Sequence, residues 1–123
     1  MSMEVKMNHE AKAIWIKALR SGKYSQSYRG LRDNNGYCCL GVLMDCFINT
    51  ENSDAQWQHE NTDCYRVISS NDKRPSYGLL HQTTKFKKWA GDIPSWIECI
   101  LINLNDSEQA DFNQIANWIE EHQ

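Results

Sequence analysis

Residues 28–43, YRGLRDNNGYCCLGVL, decide how the whole chain is read. Asn35-Gly36 is a strong two-residue turn signal, because both residue types tolerate positive φ. Leu31-Arg32 and Tyr37-Cys38 on either side are therefore expected to pair as a short hairpin. Directly after it, Cys39, Leu40, Val42, Leu43, Cys46 and Phe47 make a broad apolar face, which predicts a helix over residues 39–48. A hairpin that runs straight into a buried helix indicates an α+β fold. In this reading Cys38 and Cys39 begin the helix as small hydrophobes, and the turn aims the strand carrying Arg32 outward.

Working toward the N-terminus, Ala11, Ile14, Trp15, Ala18 and Leu19 recur at helical spacing. Asn8 is the expected N-cap and Gly22 the stop, with Arg20 in the last turn where a cation complements the helix dipole. Toward the C-terminus, Asp111-Phe112-Asn113-Gln114 has the form of a capping box, followed by the inward stripe Phe112, Ile115, Ala116 and Ile119. A short helix is expected near Thr83 to Trp89, ending at Gly91. The run WIECILINLND, residues 96–106, is apolar enough for either a buried strand or a helix. Residues 49–76 are polar and turn-rich, with extended runs near Trp57 and from Cys64 to Ile68; they read as a second small hairpin or as a mobile, irregular insertion.

The expectation is one α+β domain over residues 1–123, mainly helical, with three to four helices and short edge hairpins. Its core should gather Trp15, Leu19, Leu40, Leu43, Phe112 and Ile115. A chain of 123 residues suits one hydrophobic core, and 41% hydrophobic with 24% charged residues is an ordinary globular composition. No stretch approaches the length and apolarity of a membrane span, and the first ten residues lack a signal-peptide core, so a cytoplasmic protein is expected. Five cysteines, two of them adjacent, suit reduced thiols better than a disulfide framework.

The net charge of −3 disfavours a general coat on duplex nucleic acid, which needs clustered cations. The distribution says more than the sum. Residues 11–32 hold Lys12, Lys17, Arg20, Lys23, Arg29 and Arg32 with no acid, whereas residues 98–123 hold six acids with no lysine or arginine. Arg20, Arg29 and Arg32 offer planar forks suited to phosphate or carboxylate, and Tyr24, Gln26 and Tyr28 between them offer stacking and hydrogen bonds. Such interleaving fits a nucleotide-like anion.

No complete catalytic or cofactor signature is present: no nucleophile elbow, phosphate loop, HExxH or dinucleotide glycine pattern. No cofactor is expected. Cys39 or Cys64 would need a histidine brought to it by the fold, and Asp106 beside Asn105 reads first as a local turn. Cys46, His59 and Cys64 lack the close pairing of a zinc site, so no metal is expected either. A homo-oligomer is compatible with the sequence.

The segments WIKALRSGKYSQ, GLRDNNGYCCLGVLMD and LNDSEQADFNQIANWIEE together resemble a family of small phage and prophage proteins. The resemblance covers both ends of the chain, about half its length. Its polar positions fall on Arg20, Ser21, Tyr24, Gln26, Arg32, Asn105 and Asp106, and the chain departs from the pattern at Ser27-Tyr28-Arg29. The resemblance implies a phage-encoded binding protein in the host cytoplasm that counters host defence. It would either sequester an anionic nucleotide-type signal or occlude a host defence protein; the alternative is a small accessory enzyme acting on a nucleotide or phosphate compound. The expected ligand-binding set is Arg20, Tyr24, Gln26, Arg29, Arg32, Asn105 and Asp106, with the last two across the site from the arginines.

Overall fold

The computed structural model describes residues 7–28, 30–50, 53, 55–60, 63–69 and 84–123. Its elements are α1 (His9–Arg20), β1 (Arg32–Asp33), β2 (Gly36–Tyr37), α2 (Cys39–Ile48), β3 (Ala55–His59), β4 (Tyr65–Ser69), α3 (Thr84–Ala90), α4 (Ser95–Ile102) and α5 (Phe112–His122). A π-helical turn, Asn103–Ser107, prolongs α4. The fold is helix-dominated α+β with two antiparallel two-stranded hairpins.

The helix ends follow from their capping residues. Asn8 Oδ1 accepts the backbone N–H groups of Glu10 and Ala11 at 2.9 and 3.2 Å, which starts α1. Past Ser21 the chain turns at Gly22, whose φ of 77° is the left-handed conformation that favours glycine. At α5 both halves of the capping box form, Gln114 N–H to Asp111 Oδ1 at 2.8 Å and Asp111 N–H to Gln114 Oε1 at 2.9 Å.

Packing follows the apolar stripes. Ala11, Trp15 and Leu19 are buried on α1, and Phe112, Ile115, Ala116 and Ile119 on α5. Every residue of α2 from Cys39 to Met44 is buried, so α2 is the central element. Trp15 donates its indole N–H to the Cys39 carbonyl at 2.9 Å, which ties α1 to the first turn of α2. All six expected core residues are buried.

Two readings of the sequence are corrected. The first hairpin pairs Arg32 with Tyr37 and Asp33 with Gly36, so its turn residues are Asn34 and Asn35 and not Asn35-Gly36. The reason is Asp33, whose Oδ1 accepts the N–H groups of Asn35 and Gly36 at 2.8 and 3.0 Å and closes the turn one residue earlier. Gly36 serves close packing instead: a Cβ there would lie 2.1 Å from the Ser25 carbonyl oxygen. Gly41 does the same on α2, where a Cβ would meet the Leu31 carbonyl oxygen at 1.8 Å. The two glycines let Ser25 lie directly against the hairpin and Leu31 against the helix.

The undecided run at residues 96–106 is helical. Its buried positions Ile97, Leu101 and Asn105 recur every four residues, a helical period that ends on a polar side chain. This run supplies the helix beyond the four read from the sequence. In the middle of the chain β3 and β4 form a regular hairpin with Trp57 opposite Val67. Of the segment expected at residues 49–76, residues 51, 52, 54, 61, 62 and 70–76 lie outside the described residues.

Candidate functional site

The structure distributes the residues expected to bind a ligand over separate places. Arg29 lies outside the described residues. Arg20, at the end of α1, turns toward α5: its Nη2 donates to Asn117 Oδ1 at 2.7 Å and lies 2.8 Å from Glu120 Oε2. Tyr24 donates its hydroxyl to Asp45 Oδ2 at 2.5 Å.

Gln26, Asn105 and Asp106 do converge, with Asn105 buried between the half-buried Gln26 and Asp106. Asn105 is fully buried. Its Oδ1 accepts the Cys39 N–H at 3.2 Å and Gln26 Nε2 at 2.9 Å, while its Nδ2 donates to the Ser27 carbonyl and to Asp106 Oδ1, both at 2.8 Å. Gln26 Nε2 also reaches the Ala110 carbonyl at 2.8 Å. Asn105 thus joins α2, residues 26–27 and the π-helical turn, and its hydrogen-bonding capacity is used within the fold. The expectation that Asn105 faces an arginine across an open site is corrected: a polar residue on a buried stripe is held by its neighbours.

Arg32 is placed differently. Its guanidinium carbon lies 4.2 Å from the centre of the Tyr65 ring, 5.0 Å from that of Tyr37 and 5.4 Å from that of Trp57. These rings come from β4, β2 and β3, so the cation sits where the two hairpins meet. Tyr24 packs edge-on to Tyr37, Tyr37 edge-on to Trp57, and His59 against Tyr65 with centres 4.7 Å apart. The result is an aromatic shelf with one positive charge on it. Cation–π attraction holds such a guanidinium without neutralising it.

The other described arginines contrast with it. Arg20 pairs with Glu120, while Arg66 donates to Gln58 Oε1 at 2.6 Å and lies 3.9 Å from Glu60. Among the described residues no carboxylate lies within ion-pair distance of Arg32. The nearest in sequence, Asp33, spends an oxygen on the turn.

Asp45 fixes the shelf to the core. Its Oδ1 accepts the Trp57 indole N–H at 2.9 Å, and its Oδ2 accepts the Tyr24 hydroxyl and Asn49 Nδ2. Burial first, then the bond to Asp45 and its charge, pushes the Tyr24 phenol well above its usual range, so it remains a donor at neutral pH. Burial likewise raises Tyr37, against a smaller lowering by Arg32. The sequence reading did not single out Asp45, Trp57, Tyr37, Tyr65 or His59 for the site. One signal was present: Asp45 is the lone acid in the apolar helix CLGVLMDCFI, and such a carboxylate needs partners.

Three thiols, Cys38, Cys39 and Cys46, are held in protonated form. Burial raises Cys38 to about 11, opposed by the Gly41 N–H that its Sγ accepts, and burial also raises Cys39 well above its ordinary value. Cys46 is also pushed up to about 11, by burial and then by Asp45. Among the described residues no cluster of three or more His, Cys, Asp or Glu side chains is placed to hold a metal ion. Nor is any helix there long and apolar enough to cross a membrane.

A helix-dominated α+β domain with an aromatic shelf around an arginine is the class that fold and geometry define. Residues 7–123 match the family described as a domain of unknown function, DUF8296, and the chain belongs to that family. No curated protein and no solved structure matches it.

Proposed function

We propose that this domain is a small phage-encoded binding protein that sequesters an anionic, nucleotide-type signal in the host cytoplasm and thereby blunts host defence. The observation that carries the reading is Arg32, a cation stacked among three aromatic rings, which no carboxylate among the described residues neutralises. A guanidinium in that setting offers a charge-assisted, bidentate grip on a phosphate, and neighbouring ring faces offer stacking to a base. The phage and counter-defence setting rests on the motif resemblance around Arg32 and at both ends of the chain. Protonated, buried thiols at Cys38 and Cys39 favour binding over nucleophilic chemistry there.

Calorimetry against linear and cyclic mono- and dinucleotides tests the proposal. Binding without turnover by the wild-type protein, weakened roughly tenfold to a hundredfold in Arg32→Ala, supports it. Conversion of a compound to product would favour the accessory enzyme instead.

A further inference from the structure

The outer side of α1 carries a feature that the Arg32 shelf does not use. A groove of about 780 Å³ runs along it, with His9, Lys12, Ala13, Ile16, Lys17 and Lys23 among its walls. Ala13 and Ile16 supply apolar surface, and the basic side chains stand around them. Helix α1 therefore leaves a small apolar patch outside its buried stripe. The stripe, Ala11, Trp15 and Leu19, is buried in the core, while Ala13 is exposed and Ile16 half-buried in the patch.

The charge of this groove is one-sided. Among the described residues Glu120 is the one acid in its lining; it pairs with Arg20, and its backbone carbonyl accepts Lys12 Nζ at 3.3 Å. Among the described residues, no carboxylate lies within ion-pair distance of Lys17 or Lys23. This holds in a protein with 16 acids against 13 lysines and arginines. Like charges gathered on one face cost stability unless a partner of opposite sign offsets them.

We propose that this groove is a docking site for an acidic amphipathic helix of a partner protein, separate from the Arg32 shelf and independent of its ligand. Charge complementarity and groove chemistry choose the occupant. An aliphatic floor accepts leucine-type side chains, and flanking lysines accept carboxylates on both edges. Nucleic acid fits less well: among the described residues no Phe, Tyr or Trp lines the groove for base stacking, His9 being its one ring, and its arginine is already engaged by Glu120 and Asn117. The 12 residues of α1 span about 18 Å, room for about three turns of a helix laid alongside.

The test is fluorescence anisotropy with a fluorescein-labelled peptide of about 14 residues, with leucines at i, i+3, i+4 and i+7 and glutamates elsewhere. Full-length protein should bind it, and added salt should weaken the complex. The double variant Lys17→Glu/Lys23→Glu should weaken it by at least roughly tenfold, as should Ala13→Glu, with circular dichroism showing each variant folded. A control pair on α3, Lys85→Glu/Lys88→Glu, changes net charge equally and should have little effect. Absence of binding would overturn the proposal. So would equal affinity for the peptide with its leucines scrambled, tighter binding of an oligothymidylate than of the peptide, or an equal loss in the α3 control.

Discussion

Arg32 and Tyr65 stack with the guanidinium carbon 4.2 Å from the ring centre, so a residue of the first hairpin is held by a residue of the second. The contact gives Arg32 two duties, joining the hairpins and presenting a charge. Substitution separates them. Arg32→Lys keeps the charge but loses the planar fork, so affinity for an anionic ligand should fall while the fold persists. Calorimetry of the lysine variant checks this; unchanged affinity would mean that a point charge suffices and that the geometry of the stack is irrelevant.

Asn105 should behave as a structural residue. Asn105→Ala strands the buried Cys39 N–H and the Ser27 carbonyl, at about 1–3 kcal/mol for each buried group left without a partner. Asn105→Asp should not rescue it, because the carboxylate cannot donate to Ser27 and would face Asp106. Urea denaturation measures both. A midpoint as high as that of wild type in either variant would remove Asn105 from its place as the hub of three segments.

Trp15→Ala removes a fully buried ring together with its bond to the Cys39 carbonyl, and should lower stability by about 3–5 kcal/mol. The comparison with Ile14→Ala on the same helix is informative, since Ile14 is 45% exposed and should cost far less. Similar melting temperatures for the two variants would contradict the assigned inner face of α1.

Thiol accessibility should differ sharply among the cysteines. Cys99 is exposed on α4, whereas Cys38 and Cys39 are buried and kept protonated. Iodoacetamide at neutral pH should modify Cys99 first and leave Cys38 and Cys39 until the fold opens, as peptide mapping by mass spectrometry would show. Rapid labelling of Cys39 in the folded protein would point to a nucleophilic role.

Stability should fall on the alkaline side. Cys38 and Cys46 rise from an ordinary 9.0 to about 11, and Tyr24 and Tyr37 rise above 10.0. The native state keeps these protons where the unfolded chain loses them, so the thiols' stabilisation is complete below pH 9 and is lost as pH climbs toward 11, while the phenols' part starts to fall only around pH 10. Urea midpoints at neutral pH, at pH 9 and above pH 10 should be level and then drop. A midpoint that stays level throughout would contradict the burial of these groups.

The elements legible in the sequence were those with local causes. Asn8, Gly22 and the Asp111–Gln114 box set helix ends through bonds within a turn, and the apolar stripes of α1, α2 and α5 repeat at helical period. The first hairpin was legible but its turn was not, because a side chain at Asp33 outweighed the conformational preference of Asn35-Gly36. The candidate site was only partly legible. Arg32 could be picked by its type and neighbours, but the rings that surround it come from residues 37, 57 and 65, and nothing local in the sequence brings them together. Asn105 looked functional for the same reason that it is held within the fold: a polar residue next to an apolar run is conspicuous in either role.

The most direct test of the proposed binding role is the arginine Nε–Hε NMR spectrum during titration with the nucleotide that calorimetry identifies. The account predicts that the Arg32 resonance, assigned by its loss in Arg32→Lys, moves in saturable fashion while those of Arg20 and Arg66 hold still, since carboxylates already engage them. A ligand that binds and shifts Arg20 or Arg66 while leaving Arg32 unmoved would contradict it.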